Sequence, residues 1–202
     1  MNIGNDLDQM DPVKRDIMEA TYKAVSEHGY GDLTIQHIAD EFENSKTLIY
    51  YHYDGRDELL VDFLDYVLQQ FLANLPDSTQ SPRRELETLV DTLLPPTVEE
   101  ETYHVMLAMF ELRVNAPHDE DCREQYLVVD NELKSLLQDI LSRGVKAGVF
   151  EDITPAVEAE LFLSLLIGTR ARRLTVYHPD ESIESLKEAI QTHIDRITAS
   201  SE

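Results

Sequence analysis

Apolar residues recur at intervals of three and four along almost the whole 202-residue chain, and no stretch alternates apolar and polar residues over the length of a strand. That period predicts an all-α fold of about nine helices. The first helix opens at Pro12 behind Asp11 as N-cap, carries the stripe Val13, Ile17, Ala20 and Ala24, and stops at Gly29. A short second helix follows Thr34 with Ile35, Ile38, Ala39 and Phe42. A third begins at Asn44 or Ser45 and runs through Ile49 into "YYHY", residues 50–53. A longer fourth helix starts after Asp54, with Asp57 and Glu58 in its first turn and Leu59, Leu60, Phe63, Leu64, Val67, Leu68 and Phe71 on its apolar positions.

Proline and glycine punctuate the remainder. "PDSTQSP", residues 76–82, reads as a loop; a fifth helix spans Pro82 to about Leu94 and is closed by Pro95 and Pro96. Helices six and seven are expected at about 98–115 and 119–147, divided by Pro117 and ended by Gly148. An eighth, introduced by "EDITP", is apolar almost all round from 161 to 167 until Gly168 and Thr169, which implies burial on more than one side. A ninth, from about Ser182 to Ile197, closes the chain.

Charge changes the picture of where such a protein works. The chain carries 40 acidic and 17 basic residues, a net charge of −23, and only six of the cations are lysines. The carboxylates are interleaved with apolar residues at helical spacing, which sets them apart from a disordered acidic tail. A dense carboxylate surface suits a salt-rich interior, where self-repulsion is screened within about 3 Å at 1 M salt, so a salt-adapted, halophilic protein is expected. The acidic opening "MNIGNDLDQMDP" lacks an apolar signal region, no apolar run spans a membrane, and Cys122 stands alone. These features predict a cytoplasmic protein without a disulfide.

Helices two and three are joined by so short a connection that they must cross sharply, the helix-turn-helix arrangement that lays one helix over a DNA backbone and the next in the major groove. Ile49 and Tyr53, four residues apart, then face the helical core, which leaves Lys46, Thr47, Tyr50 and Tyr51 for the outer surface. A tyrosine ring packs on thymine methyls or sugars while its hydroxyl donates to a phosphate, and lysine reaches a guanine edge. His52 and Arg56 fall where the chain enters helix four, whose free amides and an arginine would clamp a phosphate.

The order "LTIQHIA", short turn, "SKTLIYYHY" and "GRDELL" resembles the DNA-binding domain of the TetR family of transcriptional regulators over residues 13–60. The resemblance implies a helix-turn-helix DNA-binding domain at 1–56 and a helical ligand-binding and dimerisation domain at 57–202. It implies that Gln36, Lys46, Thr47 and Tyr50 face bases and that Thr34, Tyr51, His52 and Arg56 hold phosphates. In the turn this chain has Glu43 and Asn44 where members often have glycine and an apolar residue, and Asn44 is expected to supply a left-handed conformation itself. Arg56 stands where members often have lysine. The stretch "GVKAGVFEDITPAVEAELFLSLLIGT" resembles the junction before helix eight in members with a BetI-like C-terminal domain.

The implied partners are a palindromic double-stranded operator, an unidentified small-molecule effector and a second copy of the chain, docked through helices near 154–176 and 182–197. Tyr103, Met106, Met109, Phe110 and Arg113 on helix six and Tyr126 on helix seven are the candidate ligand-facing set, with His104 and Arg170 as further polar groups. "HDEDCRE", residues 118–124, contains metal-ligand types, but without CxxC or HxxxH spacing it reads as a solvated acidic loop. "RARR", 170–173, reads as counter-charge to nearby carboxylates. There is no glycine-rich phosphate loop, GxSxG elbow or histidine pair at metal spacing, so neither an enzyme nor a cofactor is expected. The competing reading is an all-helical interaction protein on the same scaffold without DNA readout. Residues 1–56 hold eleven acidic and five basic residues, net −6, and 57–202 net −17, so any DNA surface must be a local exception. Within 44–56, Lys46 and Arg56 outweigh Asp54.

Overall fold

The computed structural model describes residues 10–75, 81–178 and 180–199. The N-terminal stretch read above as acidic and signal-free lies, up to residue 9, outside the described residues, as does most of the "PDSTQSP" loop. Among the described residues the chain forms nine α-helices: α1 (Pro12–Asp32), α2 (Ile35–Glu41), α3 (Lys46–His52), α4 (Arg56–Ala73), α5 (Pro82–Leu93), α6 (Glu100–Asn115), α7 (Glu120–Lys146), α8 (Pro155–Thr175) and α9 (Glu184–Ile197). A 3-10 turn, Ala116–His118, separates α6 from α7.

The contacts group into two compact units. The first comprises Met1–Asn74 with Glu99–Leu127, the second Leu75–Val98 with Val128–Glu202. These groupings cut the chain elsewhere than the 56/57 boundary that the resemblance implies, because α4, α6 and the start of α7 group with the three N-terminal helices.

In the first unit, Asp11 caps α1 by accepting from the amides of Val13 and Lys14, and Pro12 fills N1. Ile17, Ala20 and Ala24 face inward as their spacing predicts. Gly29 breaks the helix at φ 68° and ψ 174°, a conformation that costs glycine least, and a further short helical segment runs on to Asp32. Thr34 caps α2 and Ser45 caps α3, each hydroxyl accepting an amide of the first turn. The core that gathers these helices contains Ile38, Phe42, Ile49, Tyr53, Leu59, Phe63 and Leu64, together with Val105, Ala108 and Leu112 of α6. Asp119 caps α7, its side chain accepting the Cys122 amide at 3.1 Å, and the Cys122 thiol is buried in the same core rather than lying in a solvated loop.

In the second unit, Pro155 opens α8 behind Thr154, and Phe162, Leu163 and Leu166 point inward. Glu85 of α5 is buried and accepts both guanidinium ends of Arg143 on α7, which also holds Asp139. Lys187 of α9 reaches Asp91 of α5 at 2.6 Å. Two arginines of "RARR" have partners other than carboxylates: Arg173, fully buried, donates to the carbonyl oxygens of Pro95 and Pro96 that end α5, and Arg172 donates to the Tyr177 hydroxyl at 3.3 Å. Gly148, at φ 67°, ends α7. Phe150 returns against Gly144, and an antiparallel bridge joins Phe150 to Thr198. Around that bridge Glu151 donates to the Ile197 carbonyl at 2.8 Å and Ala199 to the Val149 carbonyl at 2.9 Å.

Candidate nucleic-acid interface and ligand domain

The helix-turn-helix is built by α2 and α3, with Phe42 and Ser45 both in extended conformations at the turn. Among the described residues no side chain other than glycine has positive φ, which corrects the expectation for Asn44. Two extended caps turn the chain, so a left-handed residue is unnecessary. Glu43 and Asn44 are both exposed, and the Glu43 carboxylate takes no place in the core.

The "YYHY" run divides by direction. Tyr53 is 3% exposed and donates its hydroxyl to Asp62 at 3.0 Å, and Lys14 of α1 reaches the same carboxylate at 3.0 Å. Burial, and then the Asp62 charge, push the Tyr53 phenol well above its usual acidity range. Tyr50 and Tyr51 are 53% and 82% exposed, Ile49 is fully buried, and Thr47 is exposed one turn earlier. The Tyr51 ring meets the half-buried His52 edge-on at 5.4 Å.

Gln36 and Lys46 come together across the turn. The Lys46 ammonium donates to the Gln36 side-chain carbonyl at 2.5 Å and stands 5.7 Å from the centre of the Tyr50 ring. The Gln36 amide nitrogen donates to Asp40 at 2.6 Å. Sequence reasoning missed Asp40, although its i,i+4 spacing from Gln36 is a readable signal. Thr34, exposed, spends its hydroxyl as acceptor for the His37 amide.

Arg56 lies differently from the other expected phosphate holders. Its guanidinium turns back onto α1, donates to the Tyr30 carbonyl and covers the Tyr30 ring with 4.8 Å between centres. Burial raises the Glu111 carboxyl on α6 above its usual range, and the Arg56 charge opposes that rise without cancelling it. The free, outward arginine that the spacing suggested is therefore not the arrangement present. A guanidinium is weakly hydrated and stacks well, so an aromatic face and a carbonyl hold it better than water does.

The candidate ligand-facing residues share unit one and are partly assembled. The Tyr126 hydroxyl donates to the Met109 carbonyl, and the Arg113 guanidinium covers the Tyr126 ring at 4.9 Å. Tyr103 and Tyr126 are buried, while Met106, Met109, Phe110 and Arg113 are half-buried. An open cleft of about 400 Å³ lies elsewhere, lined by Ser26, Glu27, Glu99, Glu100, Glu101 and His104, and none of the six residues lines it. Of the two further polar groups, His104 meets the Ser26 carbonyl at 2.5 Å and Arg170 is half-buried on α8 of the second unit. Among the described residues no group of three His, Cys, Asp or Glu side chains is arranged to hold a metal ion, and no helix is long and apolar enough to cross a membrane.

The sequence model described as "Bacterial regulatory proteins, tetR family" matches residues 17–63, which contain the helix-turn-helix, and the one described as "BetI-type transcriptional repressor, C-terminal" matches residues 82–199. The chain belongs to the TetR family. It is 33% identical to a TetR transcription regulator from Haloarcula marismortui ATCC 43049 over 92% of this chain and 97% of that one, with a TM-score of 0.82. A transcriptional regulator from Rhodococcus sp. Rha1 shares the fold at 19% identity and TM-score 0.74, covering 94% and 99% of the two chains. A structure from Saccharomonospora viridis in complex with choline shares it at 21% identity and TM-score 0.76, covering 93% and 98%. No curated protein matches the chain. TetR-family members are DNA-binding, ligand-responsive transcription regulators that are typically dimeric, not enzymes, and α2 with α3 is the part of this chain that carries their DNA-reading motif.

Proposed function

We propose that this regulator is a repressor that a small-molecule effector releases from a palindromic operator, and that Gln36, Lys46, Thr47 and Tyr50 face its bases. The observation that carries the reading is the outer surface of α3, where Tyr50 and Tyr51 stay exposed around Lys46 while Ile49 and Tyr53 are buried. Two neighbouring tyrosine rings left in water on one helix are a cost that packing against a groove recovers. Thr34, Tyr51 and His52 flank that surface as backbone contacts, and Arg56 joins them by leaving Tyr30 when DNA is bound. Residues 1–56 act as the reading domain and 57–202 as the sensing and pairing domain.

A second copy pairs through α8 and α9. Val157, Leu161 and Val176 are 63%, 40% and 71% exposed, and Ser164, Gly168 and Arg172 are exposed between them at helical spacing. A Cβ at Gly168 would meet nothing within 4 Å in the single chain, which leaves room for close helix approach. Two copies so paired present recognition helices about 34–36 Å apart, one turn of DNA. The effector is held by the helices of 57–202, with Tyr103, Met106, Met109, Phe110, Arg113 and Tyr126 as candidate contacts. A ligand that stacks on the face of the Tyr126 ring that Arg113 covers has to displace Arg113.

The net charge of −23 fits a salt-adapted cell, where counterion release contributes little to affinity, and the regulator works in its cytoplasm. Hydrogen bonds and ring packing then hold the operator. The test is binding to the DNA upstream of its own gene in multimolar KCl. Tyr50→Ala and Lys46→Ala are expected to abolish specific binding while the fold is kept, and the wild type is expected to lose little affinity from moderate to high salt. Unchanged binding in both variants would overturn the reading.

A further inference from the structure

The recognition surface contains one carboxylate that is bonded directly into it. Asp40 accepts from the Gln36 amide nitrogen at 2.6 Å, and the Gln36 carbonyl accepts from the Lys46 ammonium at 2.5 Å. The three side chains form a continuous hydrogen-bonded line from α2 to α3, and the ammonium at its end stands 5.7 Å from the Tyr50 ring centre. The chemistry of the two ends defines the middle. A carboxylate only accepts and an ammonium only donates, so the amide between them has one orientation in which both bonds exist.

We propose that Asp40 is a positioning residue for base recognition: it turns the Gln36 amide so that its carbonyl holds Lys46, and the ammonium presents its other protons to a guanine edge in the major groove. The proposal rests on the assignment of α3 to the groove. Of the three ammonium protons one is spent on Gln36, which leaves two for the adjacent O6 and N7 acceptors that distinguish guanine. A lysine free to rotate would find phosphates as readily as bases and would carry less sequence information. Asp40 thereby exchanges some general affinity, through its negative charge near the duplex, for discrimination at one base pair.

Charge and positioning predict opposite things for Asp40→Asn. The neutral amide of asparagine both donates and accepts, so the Gln36 amide is free to turn over, and in the turned state its NH2 faces the ammonium and releases it. If Asp40 positions Lys46, discrimination at one G·C pair falls about tenfold in Asp40→Asn, within the range of a paired guanine contact. If it acts only as a charge, affinity rises uniformly on every duplex and discrimination stays.

The experiment uses the full-length protein and the duplex it selects from a randomised pool in multimolar KCl, together with single-pair variants of that duplex. Wild type, Asp40→Asn, Asp40→Glu and Gln36→Leu are compared by fluorescence anisotropy, with helicity checked by circular dichroism. Loss of discrimination at the same pair in Asp40→Asn and Gln36→Leu, with retention in Asp40→Glu, supports the proposal. Should Asp40→Asn fail to fold, Asp40→Ala compared with Asp40→Glu decides the same point, because alanine also leaves the Gln36 amide without its acceptor. Discrimination unchanged in Gln36→Leu or in a folded Asp40→Asn overturns it, while leaving the regulator reading intact. A wild-type protein that selects no sequence overturns both.

Discussion

The guanidinium of Arg56 covers the ring of Tyr30 with 4.8 Å between their centres and donates to the carbonyl of the same residue. One side chain thus fastens the first turn of α4 to the glycine-broken end of α1. Arg56→Lys keeps the charge and loses the planar, stacking donor. It is expected to cost about 1 kcal/mol, read as a fall of about 2–4 °C in thermal midpoint. A Tyr30→Leu, Arg56→Lys double-mutant cycle should show the two losses to be less than additive.

Glu111 gives a pH-dependent counterpart. Burial raises its carboxyl above the usual 4.5, and Arg56 opposes this without cancelling it. The folded state therefore holds the proton more tightly than the unfolded chain. Its contribution to stability is fully present below about 4.5 and is lost as pH rises through the raised value. Glu111→Gln removes that loss. The variant should melt higher than wild type at pH 7, and the difference should close as pH is lowered; a constant gap across the range would refute the assignment.

Cys122 is 2% exposed, and burial with the Asp119 charge pushes its thiol up to about 11. A thiol so held is neither accessible nor ionised at neutral pH. Labelling by a disulfide reagent at pH 8 should be negligible in the native protein and complete in guanidinium. Rapid native labelling would place the residue at the surface.

A side chain at Gly144 has no room. A Cβ there would overlap Cδ2 and Cε2 of the Phe150 ring and lie 3.2 Å from its Cγ. The ring belongs to the turn that leads from α7 to α8, so Gly144→Ala has to push it away from its site. The expected cost is about 1–3 kcal/mol, measured by denaturant unfolding, despite the better helix propensity of alanine. Phe150→Leu in the same background should restore part of it.

The exposed face of α8 yields a test of pairing. Leu161→Asp places a charge beside Val157 on that face without touching the buried Phe162, Leu163 or Leu166. Sedimentation should move from dimer to monomer while helicity is retained. A dimer unaffected by the change would exclude this face.

Much of this architecture is readable in the sequence because helices with one buried stripe announce themselves every third or fourth residue. Asp11 with Pro12, Ser45 and Gly148 mark ends through local hydrogen bonding and φ preference, which depend on few neighbours. The direction of Tyr53 against Tyr50 and Tyr51 follows from the 100° step between helical neighbours. The orientation of Arg56 does not, since a long side chain in the first turn of a helix reaches either solvent or the preceding helix. Nor does the role of Gly144, whose need for a bare backbone arises from a ring six positions later. Asn44 misled for a related reason: a left-handed residue is one way to turn between two helices, and two extended caps are another. Arg172 and Arg173 show that charge alone does not name a partner, because a guanidinium satisfies carbonyls and hydroxyls as well as carboxylates.

The bridge between Phe150 and Thr198 ties the entry of α8 to the exit of α9. Helix ends usually fray and exchange their amide protons freely. Here the last turn of α9 opens only when the bonds to Val149 and Glu151 break with it. The amides near residue 198 should therefore exchange at the rate of their unit rather than at the rate of a frayed helix end. A rigid fusion appended directly after Ala199 would load that closure, and a flexible spacer at the same point would let the pair of helices remain shut.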